Sequence, residues 1–389
     1  MDKTFKNECI FFSTIHKNQV LFPIFFANLH IKILNHMKKH NFGAGPSILP
    51  QVVIDQAALA LKNFNNMDLS ILEISHRNKN FIAVLEKAQN LALELAGLKD
   101  KGYYALFLQG GASTQFLMAP YNFLPIGGTA GYIDTGTWSS AAIKEAKKLG
   151  NVNVLASSKE NAYKNIPKNV AIPDGLSYVH VTSNNTIYGT QFKEFPKVNC
   201  PLLVDTSSDM FSHVVDYSQF DLIYAGAQKN IGASGTTLVL VKQDALGKSG
   251  RDIPSMMDYQ LQIAKDSLYN TPSVFSIYVS MLNLEWLQND MGGLKGIEKV
   301  NFAKADLLYN ELDTNKNFIP YVDKADRSIM NVTFNLADES LKERFDKLCS
   351  EAGIWALSGH RSVGGYRASL YNALPLESVK VLVDVMKAL

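Results

Sequence analysis

The sequence predicts an α/β protein: a largely parallel sheet with helices on both faces, followed by a smaller α+β domain. Three observations carry this. The chain has 389 residues, 47% of them hydrophobic and 19% charged, enough for a large core and two domains. From about residue 97 short apolar runs that read as buried strands alternate with helical stretches. After about residue 295 the texture changes to fewer, more widely spaced elements.

The first 36 residues stand apart. Phe, Ile, Lys and Asn make up 19 of them, the composition of a translated A/T-rich upstream region. The apolar patches IFFSTI and VLFPIFFANL lead to no small-residue cleavage site, which weighs against a degenerate signal peptide. Residues 1–36 are therefore expected to be an extension, disordered or the product of a misplaced start, with Met37 the initiator. The expected layout continues with a segment at 37–50 joining the small domain, a large domain at 51–295 and a small C-terminal domain at 296–389.

FGAGPSILP (42–50) is a turn-rich entry and VVIDQAALAL (52–61) a helix. In residues 80–96, Phe81, Val84, Leu85, Ala88, Leu91, Ala92 and Leu95 form one helical stripe, and Gly97 supplies a stop. YYALFL (103–108) is a strand leading through QGGAS into a helix. TAGYID (129–134) leads through TGTW, read as a loop, into AAIKEAKKLG. NVNVLA, SYVHVT, PLLVDTS, FDLIYA and TTLVLV follow as strands. SIMNVTFN, a helix near 339–352, YRASLY and a helix near 376–388 complete the chain.

Composition excludes several function classes. A net charge of +2 leaves no nucleic-acid footprint. No run of 18 apolar residues predicts a transmembrane helix. Cys9, Cys200 and Cys349 are far apart and odd in number, so a disulfide framework and a zinc site are not expected and a reducing, cytoplasmic compartment is.

In open α/β sheets ligands bind at the carboxyl ends of strands, where the candidates gather. QGGAST (109–114) joins a strand to a helix N-terminus, so the N–H groups of Gly111, Ala112 and Ser113 can cradle a phosphate, although the stretch is neither a Walker sequence nor GxGxxG and, taken alone, reads more readily as a plain tight turn. Asp205 ends the strand PLLVD. Trp138 follows TAGYID and either stacks on a ring or packs in the core. Lys229, in YAGAQKNIGASG, follows an apolar strand and precedes small residues; the plain alternative is a solvated loop lysine. A phosphate, a flat ring, a ring nitrogen wanting a carboxylate and a carbonyl wanting an amine describe one ligand, pyridoxal 5′-phosphate.

The chain from about Met37 onward resembles the phosphoserine aminotransferase family, class-V members of the fold-type-I pyridoxal-phosphate enzymes. The motifs are NFGAGPSILP, ISHRNK, QGGAS, TGTWS, NNTIYGT, VDTSSD, AGAQKNIG, YNTPSVFSIY and GHRSVGGYRASLYNALP, in family order over nearly the whole length. The resemblance implies a fold-type-I large domain with a mostly parallel seven-stranded sheet and a smaller α+β domain. It implies that Lys229 is the Schiff-base lysine and general base, that Asp205 pairs with the pyridine nitrogen, that Trp138 stacks on the ring and that Thr186 reaches its hydroxyl. It places Ala112, Ser113 and Gln228 on the phosphate, and Asn270 and Thr271 on the cofactor phosphate of the other subunit of a homodimer. Two departures are visible: Ala44 stands where many relatives carry Ser, and Ser113 where some carry Arg.

Only six residues are Arg, and three of them fall in SHR (75–77) and GHRSVGGYR (359–367). A planar guanidinium binds carboxylate or phosphate with two parallel bonds, which Lys cannot do. The expected site takes small molecules with two anionic ends. Arg367 would hold the α-carboxylate, and His76, Arg77, His360 and Arg361 the distal phosphate or γ-carboxylate, with one pair donated across the dimer. The implied reaction moves the amino group of L-glutamate to 3-phosphohydroxypyruvate, with a further substrate in 3-hydroxy-2-oxo-4-phosphobutanoate of pyridoxine synthesis. The rivals are another class-V aminotransferase, a cysteine desulfurase, disfavoured by the cysteine positions, and a non-catalytic cofactor-binding protein, disfavoured by Lys229 and Asp205 together.

Overall fold

In the computed structural model residues 39–389 are described, so the expected extension, Met37 and Cys9 lie outside the described residues. The strands are β1 (His40–Asn41), β2 (Tyr103–Leu108), β3 (Thr129–Asp134), β4 (Asn151–Ser157), β5 (Tyr178–Thr182), β6 (Leu202–Asp205), β7 (Leu222–Gly226), β8 (Thr237–Lys242), β9 (Phe318–Pro320), β10 (Asn331–Leu336), β11 (Ile354–Trp355) and β12 (Tyr366–Ser369). The helices are α1 (Gln51–Lys62), α2 (Lys79–Leu95), α3 (Gly111–Phe123), α4 (Thr137–Ala146), α5 (Tyr259–Ala264), α6 (Val274–Asn289), α7 (Gly293–Thr314), α8 (Lys342–Glu351) and α9 (Leu376–Lys387).

Helix α2 shows how directly local sequence sets an element. All seven residues of its stripe are buried. The Asn78 side chain accepts from the Asn80 N–H at its start. At its end Gly97 turns left-handed at φ +64°, the Gly97 N–H donates to Glu94 O, and the Leu98 N–H to Leu93 O. That pair of bonds is the Schellman arrangement, which satisfies the last carbonyls of a helix.

The seven-stranded sheet has the order β2-β8-β7-β6-β5-β3-β4. Four pairings are parallel, and β8 runs antiparallel to both β2 and β7. The central strands are apolar on both sides. In β8, Leu238 and Leu240 join a core beneath α2 and α6, whereas Val239 and Val241 join one with Phe116 of α3 and Ala142 of α4 on the other face. Such burial on both faces produces continuous apolar runs. A third cluster unites Phe42 and Ile48 with residues of α7, β9, β10, α8, β12 and α9, around an antiparallel sheet of order β12-β10-β9. Here Phe345 meets the edges of Phe318 and Tyr366 at centroid distances of 5.2 and 4.9 Å. The expected boundary after residue 295 falls in the first turn of α7.

Because β8 is reversed, β2, β3, β5, β6 and β7 all point the same way. Their carboxyl ends, Leu108, Asp134, Thr182, Asp205 and Gly226, therefore reach one edge of the sheet. The segments that follow those ends build the site.

Candidate active site

Strand β7 delivers a short turn, Ala227-Gln228-Lys229, in which the Gly232 N–H donates back to Ala227 O at 2.7 Å. The entry segment closes over it: the Ser47 N–H donates to Gln228 O at 2.9 Å and the Ser47 hydroxyl to Lys229 O at 2.7 Å. Lys229 is half-buried, and its Nζ donates to the Thr186 hydroxyl at 2.8 Å. Burial lowers the amine from its usual value to about 8; the Asp205 and Asp209 carboxylates oppose that shift and the Arg367 guanidinium adds to it.

Asp205, the last residue of β6, is 3% exposed. Its Oδ1 accepts from the Ser207 N–H at 2.9 Å. Burial raises this carboxyl above the usual range, against the lowering by Ser207 and Lys229. Its strand neighbours in register are Thr182 and Tyr224. The Tyr224 hydroxyl lies 2.7 Å from His180 Nε2, and burial holds the His180 imidazole neutral by lowering it to about 3.

The QGGAST turn enters α3 through Gly110, at φ +94°. A Cβ there would lie 1.9 Å from the Thr114 hydroxyl, so the sharp turn admits glycine alone. The first α-helical bond is Thr114 N–H to Gly110 O, which leaves the N–H groups of Gly111, Ala112 and Ser113 free of intrahelical acceptors. Trp138 is in the first turn of α4, not in a loop as expected, and is 37% exposed.

These pieces share one cleft of about 460 Å³. Lys229, Gln228, Thr186, Ala112, Ser113, Trp138, His360 and Arg367 line it, and Ser207 and Ser208 line it beside the buried Asp205. Arg367, on β12, arrives from the other core and donates from Nη1 to Thr186 O at 3.1 Å. Ala44 and Gly45 complete the wall, so the departure from Ser at position 44 leaves a methyl group there.

The remaining expected residues are not among the cleft lining. His76 and the exposed Arg77 sit in the turn before α2. Arg361 is exposed next to His360, in a loop closed by the Gly359 N–H on Gly365 O at 2.8 Å. Asn270 donates to the Gln109 side chain at 3.1 Å, and Gln109 to Thr271 O at 2.6 Å, just outside the Gly110 turn. Sequence reasoning also passed over Asn184, Ser207, Ser208 and Asp209, although NNTIYG and VDTSSD contain them.

The residues fit pyridoxal phosphate. The cleft presents an amine of lowered basicity, three N–H groups at a helix N-terminus beside it, a buried carboxylate at a strand end, and an indole. Among the described residues no group of three or more His, Cys, Asp or Glu side chains is placed to hold a metal ion.

A sheet whose strand ends carry this lysine, carboxylate and anion-binding helix defines the class: the chain belongs to the class-V aminotransferases, whose family model matches residues 39–382. Within that class its relatives are phosphoserine aminotransferases. The one from Flavobacterium psychrophilum is 61% identical over 91% of this chain and 99% of its own length. A solved phosphoserine aminotransferase from Bacillus circulans subsp. alkalophilus is 45% identical, with a TM-score of 0.87 over 90% of this chain and 98% of that one. One from Trichomonas vaginalis, solved with pyridoxal phosphate bound, is 32% identical, with a TM-score of 0.84 over 90% of this chain and 100% of that one.

Proposed function

We propose that the chain catalyses reversible transfer of the amino group from L-glutamate to 3-phosphohydroxypyruvate, giving O-phospho-L-serine and 2-oxoglutarate. The observation that carries this reading is the meeting of Lys229 and Arg367 in one cleft, through the hydroxyl and the carbonyl of the same residue, Thr186. It sets an amine beside a guanidinium suited to an α-carboxylate. The relatives' printed activity supports the choice of substrate.

Pyridoxal phosphate, when bound, supplies a carbonyl for the amino group and a ring that withdraws electrons. Arg367 holds the substrate's α-carboxylate. Lys229, half of it neutral near pH 8, is the base that takes the proton from the substrate Cα and returns it elsewhere. Thr186 keeps Nζ aimed into the cleft. Asp205 would hold a proton on the ring nitrogen, the Gly111, Ala112 and Ser113 N–H groups, with Gln228, would hold the cofactor phosphate, and Trp138 would lie against the ring.

The loop that carries His360 to the cleft passes close to β10 at Gly365, at φ +60°, where any Cβ would lie 2.0 Å from the Asn335 side chain. His360 and Arg361 bind the distal anion of phosphoserine or glutamate, with His76 and Arg77 of a second copy. Asn270 and Thr271 likewise serve the cofactor of that second copy, so the active unit is a homodimer. The organisation into 37–50, 51–295 and 296–389, activity on 3-hydroxy-2-oxo-4-phosphobutanoate and a cytoplasmic location belong to the same reading. No helix among the described residues is long and apolar enough to cross a membrane.

The test is a set of specificity constants for phosphoserine, glutamate and alanine. Arg77→Lys and Arg361→Lys lose the bidentate fork and should each depress phosphoserine by about ten- to a hundredfold, since a charge-assisted hydrogen bond contributes roughly 1.5–3 kcal/mol. Alanine, with no distal anion, should change little. Arg367→Lys should depress all three. Equal losses for alanine and phosphoserine in Arg77→Lys and Arg361→Lys would remove the distal-anion role.

A further inference from the structure

The VDTSSD motif ends in a second acid that the reading above does not use. Asp209 is 4% exposed and makes no ion pair within 4.0 Å among the described residues. Its two oxygens each receive a donor: the Ser183 hydroxyl on Oδ1, and Gln191 Nε2 on Oδ2 at 3.1 Å. Burial pushes the Asp209 carboxyl up, and these two hydrogen bonds favour its ionised form against that push. The nearest relayed cation is Lys193, whose Nζ donates to Gln191 Oε1 at 3.2 Å and to Arg327 O at 2.7 Å.

The same Ser183 is bonded to Asp205. Its N–H donates to Asp205 O at 2.9 Å, so one residue ties the backbone of the first acid to the carboxylate of the second. The turn between them is closed by the Asp209 N–H on Thr206 O at 3.1 Å. We propose that Asp209 is a positioning residue for Asp205: a second, ionised carboxylate that fixes the strand end carrying Asp205 and adds its negative charge to the cleft from below. The proposal rests on Asp205 being the partner of the ring nitrogen.

The electrostatics agree with the geometry. Asp209 raises the Asp205 carboxyl and the Lys229 amine alike, as an anion does to both an acid and a base beside it. The groups facing Asp209 are His213 and Tyr217 on its own segment, Gln191 and Lys193 from the strand-like stretch opposite, and Asp205 and Lys229 in the cleft. Glu298 of α7 faces His213 in turn.

The experiment titrates the visible absorbance of the bound cofactor against pH in the holoenzyme, and measures the cofactor dissociation constant and thermal midpoint of Asp209→Asn, Asp209→Glu, Lys193→Gln and Asp205→Asn. Asp209→Asn should move the spectral midpoint down by about half to one and a half pH units and weaken cofactor binding, as expected for loss of one charge at short range. Asp209→Glu should keep the midpoint near the wild-type value. Lys193→Gln removes a positive charge and should move it the opposite way, which keeps the proposal testable should Asp209→Asn fail to fold. A midpoint unmoved in both Asp209→Asn and Lys193→Gln, with only the thermal midpoint lowered, would make Asp209 a strut and overturn the proposal. So would Asp209→Glu shifting as far as Asp209→Asn. Asp205→Asn separates the two levels: if it leaves the spectrum and cofactor affinity unchanged, the reading of Asp205 itself fails, whereas a change in Asp205→Asn alone defeats only the inference about Asp209.

Discussion

Two lysines lowered by burial, one wholly buried and one half-buried, give the sharpest contrast in this molecule. Burial pushes Lys304 down to about 7 and Lys229 to about 8. By that measure Lys304 is the more perturbed, yet it has nothing left to offer. Its Nζ donates to Leu370 O, Tyr371 O and Leu374 O at 2.9, 2.8 and 3.1 Å, so all three donors of an ammonium are used. It fastens the chain after β12 onto α7. Lys229 has one hydroxyl partner and faces a cleft of about 460 Å³. A shifted lysine becomes a reactive one only where donors remain free and space lies in front of it.

The largest effects should come from exchanging the two roles. Lys229→Ala should cut turnover by about 10⁴-fold or more while the protein still folds. Lys304→Met should strand three buried carbonyls, lower stability by roughly 3 kcal/mol and leave the turnover of the folded fraction within a few fold. Turnover assays beside thermal melts check both. A Lys304→Met enzyme with normal stability and lost activity would erase the contrast.

A smaller effect isolates the acid. Asp205 opposes the lowering of Lys229, whereas burial alone lowers Lys304. Asp205→Asn should therefore lower the Lys229 amine further and slow single-turnover reaction with glutamate by about 10²-fold, with Lys304 unaffected. Unchanged single-turnover kinetics would reduce Asp205 to a strand terminus.

The smallest effect is a pH dependence. The neutral amine reacts with acylating reagents, so labelling of Lys229 in the cofactor-free protein should rise with pH to a midpoint near 8, well below the ordinary 10.5. Lys304 should stay unlabelled in the folded protein. The linkage has a definite sign: a lysine lowered on folding makes the unfolded chain hold more protons between pH 8 and 10.5, so stability from this group rises with pH there. The penalty is complete below pH 8 and gone by pH 10.5. The stability difference between wild type and Lys229→Met should shrink across that window.

Legibility followed the range over which each feature is decided. The stripe and Gly97 stop of α2 were readable because spacing and cap lie within one stretch of chain. Helix α6 was not, because its buried residues, from Ile277 through Leu287, surround it on most sides and leave no stripe. Lys229, Asp205 and the Gly110 turn were found because each ends or follows a strand. Asp209 was missed because a buried acid and a solvated one look the same in sequence.

By itself, the sequence determined the seven strands of the large sheet and several of the helices, the residues at the strand ends, and the pairing of a lysine, an acid and a glycine-rich helix start that specifies a pyridoxal-phosphate site. Those are matters of local periodicity and chemistry. Only the tertiary structure decided that β8 runs backwards, that Trp138 rides on a helix, that Ser47 closes over Lys229, and that Arg367 reaches Thr186 from a strand 181 residues away. Such contacts depend on how whole layers pack. Strand direction and loop closure are set by the sum of many buried contacts, none of which a short stretch of sequence contains.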